Sequence, residues 1–102
     1  MKTLIAATTA AVMMALSGAA SADLALAQKN ACMSCHGVDK KIVGPAFKEV
    51  AAKYKNDRGA EARLFAKVKA GGKGVWGQVP MPPNPQVKDE DLHKILAWVL
   101  SQ

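Results

Sequence analysis

The chain has 102 residues, 50% hydrophobic and 22% charged, which is enough for one small domain and no more. Its formal net charge of +6 comes mainly from lysines spread along the sequence. No basic run interleaved with aromatic residues is present, so a nucleic-acid-binding stripe is excluded. The lysines form a solvated basic surface, part of which can steer docking onto an acidic partner.

Residues 1–22 have the layout of a secretory signal peptide. Lys2 supplies the positive start, residues 4–16 form an almost unbroken apolar run, and Ala20-Ser21-Ala22 is an A-x-A cleavage site. A transmembrane helix needs about 20 apolar residues, and this run is shorter. The alternative interpretation is an uncleaved membrane anchor. We expect cleavage after Ala22, export to the periplasm, and a mature domain over residues 23–102 with no stable membrane insertion.

The first two helices predicted in the mature chain lie on either side of the two cysteines. Asp23 can cap a short helix through about Ala31. Pro45 can open a second helix through about Lys55. Its apolar residues recur at i, i+3, i+4 and i+7, the spacing of one helix face. They are Phe47, Val50, Ala51 and Tyr54.

Two further helices are predicted in the second half of the chain. One covers residues 60–70 and stops at Gly71-Gly72, because glycine is the usual residue after a helix C-terminus. The other begins near Asp89, where three acidic residues suit the positive end of the helix dipole. No segment alternates like a β-strand, so the predicted fold class is all-α. The inward face of the last helix carries Leu92, Ile95, Leu96 and Val99.

Residues 71–88, between the third and fourth helices, form a loop rich in glycine and proline. A loop of this length in a small domain is usually functional or disordered. Trp76 and the run Pro80-Met81-Pro82-Pro83 indicate an ordered loop that wraps on something apolar.

The segment Cys32-Met33-Ser34-Cys35-His36 is the strongest functional signal. Two thiols three residues apart can both form thioethers with the vinyl groups of one haem, and the adjacent His36 can place its imidazole under the iron. The pattern C-x-x-C-H therefore predicts one covalently attached haem c. These are the only two cysteines in the chain.

Other uses of a C-x-x-C pair fit the sequence less well. A thioredoxin-like pair belongs at a strand-to-helix junction, and no strand is predicted. A zinc site needs more ligands than His93 can add. A disulfide across so short a span would stabilise little.

The sixth iron ligand must come from another part of the mature chain, and the candidate residues are the two methionines and His93. Electron-carrying cytochromes often use histidine and methionine together. Met33 lies between the anchoring cysteines and cannot reach the opposite face of the ring, which leaves Met81 in the proline-rich loop. There are two alternatives to Met81 as the ligand: Met81 packs on the core only, or His93 binds the iron instead.

The mature chain resembles the small class I bacterial cytochromes c of the c-551 (c8) type. Beyond C-x-x-C-H, the resemblance rests on Val43-Gly44-Pro45-Ala46, on Gly74-Val75-Trp76-Gly77, on Val79 to Asn84, and on the closing Trp98 to Gln102. The resemblance spans essentially residues 23–102. It implies about four helices wrapped around one covalently bound haem, with the Pro/Gly-rich loop carrying the ligand.

Several residue roles follow from this resemblance alone. The carbonyl of Pro45 would accept a hydrogen bond from the proximal His36. Trp76 would donate its indole N–H to a haem propionate, which Lys67 can assist, and Asn84 would form a hydrogen bond near Met81. The first and last helices would cross with Ala31 against Trp98.

The function implied is that of a soluble periplasmic electron carrier. Partners by resemblance are a nitrite reductase, a terminal oxidase or a cytochrome c peroxidase, met transiently by a monomer. A haem enzyme or gas sensor with an open distal site is the competing hypothesis. The chain offers few polar residues for such a site, so we expect an electron-transfer protein that is not an enzyme.

Overall fold

The computed structural model describes residues 21–102; residues 1–20, which hold most of the predicted signal peptide, lie outside it. A first helix, α1, covers residues 21–29, and a short 3-10 turn, Cys32–Ser34, follows it. The other helices are α2 Phe47–Lys53, α3 Ala60–Ala70 and α4 Asp89–Leu100. Residues 21–102 contain no β-strand, only two isolated backbone bridges, and the predicted all-α class is confirmed. None of the helices in this range is long and apolar enough to span a bilayer.

The bounds of α3 and the start of α4 agree with the sequence prediction, whereas α1 differs at both ends. Asp23 lies inside α1 and does not cap it, because the helix already includes residues 21 and 22. The predicted extension to Ala31 is wrong. Ala31 has a left-handed backbone with φ of 63°, and the Asn30 side chain donates to the Leu26 carbonyl at 2.9 Å, which satisfies an end group of the helix.

The helix α2 is shorter than predicted. Pro45 and Ala46 lie before it, since Ala46 is extended at φ −62° and ψ 145°. The first two N–H groups of α2, on Phe47 and Lys48, donate to the carbonyls of Gly37 and Val38 at 2.9 and 3.0 Å. The loop after the cysteines therefore fixes where α2 begins.

The core forms where α4 packs on both α2 and α3. One apolar cluster joins α1, α2 and α4 and contains Ala27, Phe47, Val50, Ile95 and Val99. A second joins the last loop to α4 and contains Val87, Leu92 and Leu96. The four apolar residues predicted to face inward on α4 are all buried.

The small residue at the crossing of the first and last helices is Ala27. It is fully buried in the cluster against which Trp98 packs. Ala31 is exposed and lies after α1, so the small residue that the first helix buries beside the last helix is Ala27, whereas the sequence predicts Ala31. The left-handed residue Ala31 joins α1 to the 3-10 turn Cys32–Ser34.

Candidate functional site

A cavity of about 480 Å³ opens between two loops and the inner faces of α2 and α3. Residues 41–45 form one wall and residues 72–82 form the other. Cys35 and His36 line it from the cysteine segment, and Lys67 lines it from α3. Its volume lies within the range of small-molecule and cofactor sites. The cysteine segment and the proline-rich loop therefore meet at one site.

The imidazole of His36 is held by a hydrogen bond to the backbone. Its Nδ1 lies 2.7 Å from the carbonyl oxygen of Pro45. Because a carbonyl can only accept, Nδ1 must carry the proton in this contact. In a neutral ring Nε2 then keeps its lone pair, which is the form that binds a metal.

The orientation of the His36 ring is also fixed by packing. Its ring stacks on Phe47 with centroids 5.0 Å apart, and Trp98 contacts Phe47 edge-on at 5.5 Å. A Cβ on Gly44 would lie 2.6 Å from His36 Cε1, closer than any carbon contact allows. Only glycine at position 44 leaves the space this ring occupies.

The two cysteines differ in their surroundings. Cys35 lines the cavity, and its carbonyl accepts the N–H of Gly44 at 2.8 Å. Cys32 is half-buried and packs against the apolar cluster of α1, α2 and α4. Burial raises the pKa of the Cys32 thiol, and the neighbouring Cys35 acts in the same direction, while a backbone hydrogen bond opposes them. Both thiols are free of a disulfide bond.

Met81 reaches the cavity from the opposite loop. Its N–H donates to the carbonyl of Gly72 at 2.7 Å, and its own carbonyl accepts the N–H of Gly72 at 3.1 Å. Proline on both sides, at positions 80 and 82, restricts the backbone further. A half-buried thioether is thus presented to the site by a short, doubly hydrogen-bonded segment.

The other candidate ligands lie elsewhere. Met33 packs against the cluster of α1, α2 and α4 and does not line the cavity. His93 stacks on Phe65 at 4.6 Å, and its Nδ1 lies 3.2 Å from Glu61 Oε1, on a surface formed by α3 and α4. The structure therefore brings Met81, and neither Met33 nor His93, to the cavity that holds His36.

Trp76 and Lys67 both line the cavity, whereas Asn84 does not. The half-buried Lys67 side chain runs past Gly72, where a Cβ would lie 3.3 Å from its Cε. Asn84 donates through Nδ2 to the Pro82 carbonyl at 2.9 Å and through its N–H to α3. Its contacts thus hold the turn that follows Met81.

The mouth of the cavity has a rim that the sequence analysis missed. It carries exposed apolar side chains, of which Ile42 is 55% exposed and Val79 is 65% exposed. Lys41 and Lys73 are exposed on the same two loops. Short loops carry no helical or strand period, so no pattern could mark these residues in advance.

The residues of the cavity fit a haem. One space with largely apolar walls is lined by the imidazole of His36, whose Nε2 is free, by the neighbouring thiol of Cys35 and by the thioether of Met81. This donor set suits an iron held between histidine and methionine. Three lysines, Lys41, Lys67 and Lys73, and one acid, Glu49, line the same space, which favours an anionic group such as a carboxylate.

Comparisons with known proteins agree with this chemistry. The sequence profile of the cytochrome c family matches residues 24–102. Cytochrome c-551 of Allochromatium vinosum is 55% identical over 87 residues, which cover 85% of this chain and 93% of that protein. Cytochrome c-551 of Pseudomonas aeruginosa is 49% identical over 77 residues, covering 76% and 73%.

A solved structure is similar as well. The crystal structure of Nitrosomonas europaea cytochrome c552 superposes with a TM-score of 0.74 at 49% identity, covering 76% of this chain and 96% of that one. The class I cytochrome c fold expected from the resemblance is confirmed. The chain therefore belongs to the cytochrome c family: its cofactor is one covalently bound haem c, and it is an electron-transfer protein that is not an enzyme.

Proposed function

We propose that the protein is a periplasmic single-electron shuttle whose haem iron is bound by His36 and Met81. Cys32 and Cys35 would hold the haem through thioethers. The observation that carries the proposal is the shared cavity, which is lined by His36, Met81 and Cys35 but not by His93. When bound, the haem supplies an iron that passes between the ferric and ferrous states.

The chain's own residues would keep the ligands fixed while the charge on the iron changes. Pro45 holds the proton on Nδ1 of His36, so that Nε2 stays the ligating atom, and this hydrogen bond raises the basicity of the ring. The paired backbone hydrogen bonds between Gly72 and Met81 hold the thioether segment. Trp76 and Lys67 would face the propionates, and Asn84 would hold the turn after Met81.

Electrons would enter and leave at the mouth of the cavity. The exposed apolar rim provides a contact surface, and the lysines on the same loops attract an acidic face of the partner. Five acidic residues lie elsewhere, before or on α3 and in the first turn of α4. They are Asp57, Glu61, Asp89, Glu90 and Asp91. Partners of the proposed kind are a nitrite reductase, a terminal oxidase or a cytochrome c peroxidase.

The periplasmic location rests on the signal peptide predicted over residues 1–22. We expect the mature chain to begin at Asp23, which N-terminal sequencing or intact mass of the exported protein would establish. A protein that retains residues 1–22 and sediments with membranes would overturn this part of the proposal.

The optical spectrum tests the ligation. The reduced protein should show a sharp c-type spectrum, and the oxidised protein should show the weak far-red sulfur-to-iron band. Met81→Ala should lose the band, while His93→Ala should keep it. Binding of carbon monoxide to the ferrous wild-type protein at neutral pH would contradict the proposal, because it requires an open sixth position.

A further inference from the structure

The C-terminal end of α3 lies against the segment that carries Met81. Gly71, with φ of 77°, turns the chain out of α3 after Ala70. The next residue, Gly72, forms both backbone hydrogen bonds with Met81. The position of Met81 is therefore set relative to α3, across the loop, and not by its sequence neighbours alone.

Gly71 leaves no room for a side chain at this junction. A Cβ there would lie 2.7 Å from the carbonyl oxygen of Met81 and 2.8 Å from the nitrogen of Pro83. Both are backbone atoms, and the proline ring fixes its own φ, so neither can move aside without moving the loop. The left-handed φ adds strain for any L side chain. Bulk at position 71 would therefore push the Met81 segment away from α3.

Lys69 fastens the other side of the same loop. Its Nζ donates to the carbonyl of Val87 and lies 2.9 Å from Asp89 Oδ1. The Lys69 side chain is only 23% exposed and Val87 is buried, so their hydrogen bond is partly shielded from water, whereas the Asp89 side chain is 74% exposed. One residue earlier, the carbonyl of Val68 accepts the N–H of Asn84 at 2.9 Å. The segment after Met81 is thus tied to the last turn of α3.

We propose that Gly71 and Lys69 are positioning residues that set how firmly Met81 binds the iron. The inference rests on Met81 being the sixth ligand. Neither residue lines the cavity, so each acts through the backbone of the loop. Gly71 lets the Met81 segment approach α3, and Lys69 holds the end of the loop, at Val87 and Asp89, against α3.

The first test compares two residues with left-handed backbones, one beside the Met81 segment and one outside the cavity. Gly71→Ala should bind cyanide at the ferric iron about tenfold faster than wild type and weaken the sulfur-to-iron band, because displacement of Met81 limits cyanide entry. Asn56→Ala is the control, since Asn56 has φ of 65° in an exposed turn between α2 and α3 and does not line the cavity. Equal cyanide-binding rates in the two variants would overturn the role of Gly71.

The second test removes the charge of Lys69. Lys69→Met should bind cyanide about fivefold faster, and Lys69→Arg should restore most of the wild-type rate. Lys94→Met is the control, because Lys94 forms an exposed pair with Glu90 at 3.5 Å, away from the loop. If Lys69→Met lowers the free energy of unfolding but leaves the cyanide rate and the band unchanged, its role is structural and the inference is wrong. This variant also decides the matter if Gly71→Ala yields no holoprotein.

The wild-type spectrum separates the two levels of the proposal. If the wild-type protein lacks the far-red band, Met81 is not the ligand, and both the proposed ligation and this inference fail. If the wild type shows the band and the variants at positions 69 and 71 match their controls, the ligation stands and only the inference fails.

Discussion

The two loops that supply the proposed iron ligands are held in different ways. His36 is fixed by its side chain, which is hydrogen-bonded to Pro45 and stacked on Phe47 of the buried core. Met81 is fixed by its backbone, in a loop whose tip at residues 73–80 is exposed. A ligand backed by the core moves only if the core moves, whereas a loop can open locally at smaller cost. We therefore expect Met81 to dissociate first under stress.

The largest expected effect comes from removing the support behind His36. Phe47→Ala should lower the free energy of unfolding of the holoprotein by about 3–5 kcal/mol, because it deletes a buried ring against both His36 and Trp98. Denaturant unfolding followed by far-UV circular dichroism measures this.

Phe65→Ala is the matched control for the histidine side. Phe65 packs against the second cluster and contacts His93, away from His36. It should lower stability without altering the haem spectrum, whereas Phe47→Ala should alter both. A haem spectrum changed equally by the two variants would contradict the role given to Phe47.

A smaller effect is expected from crowding the His36 ring. Gly44→Ala would place a Cβ 2.6 Å from His36 Cε1, and we expect a loss of about 1–3 kcal/mol in unfolding free energy. Gly59→Ala is the control, because the atom its Cβ would meet belongs to the exposed, movable side chain of Arg63. Thermal unfolding of the two holoproteins should differ clearly, and similar melting temperatures would count against a tight ring site.

The exposed tip of the Met81 loop should be weakly held. Lys53 on α2 places its Nζ 5.5 Å from the ring centroid of Trp76, a cation–π contact worth about 0.5–1 kcal/mol at an exposed site. Lys53→Met should speed hydrogen exchange at residues 73–79 about two- to fivefold and leave α2 unchanged. Lys55→Met is the control, and an equal change there would assign the effect to net charge.

The smallest effect on stability is expected at the rim. Val79→Ser should change the unfolding free energy by less than about 0.5 kcal/mol, since the side chain is 65% exposed. It should nevertheless slow electron self-exchange between two copies of the protein, which NMR line widths of mixed oxidation states measure. Self-exchange should rise with salt, because like-charged rims repel. Unchanged self-exchange in Val79→Ser would show that electrons leave by another face.

The comparison also shows what the sequence could predict. The sequence predicts the bounds of α3, the start of α4 and the buried face of α4 correctly. These features depend on the spacing of apolar residues, which has a helical period. The cysteine segment and the proline-rich loop were expected to meet, and they line one cavity. Covalent motifs and amphipathic periods are local, so they can be found without the fold.

The features that the sequence missed depend on contacts between distant segments. Ala27, and not Ala31, is buried beside α4, since α1 ends before the left-handed Ala31. Gly44 and Gly71 are required by the atoms that approach them, which only the folded chain reveals. The apolar rim at Ile42 and Val79 lies on short loops without periodicity.

The most direct test of the proposed ligation uses Met33 and Met81, the two methionines of residues 23–102. In ferrous protein labelled with ¹³C at the methionine methyl groups, a methyl bound above the haem is shifted far upfield by the ring current. We expect one shifted signal, lost in Met81→Ala, and one ordinary signal from Met33, which packs in the core. Two ordinary signals, or a shifted signal that survives Met81→Ala, would contradict the proposal that His36 and Met81 hold the iron.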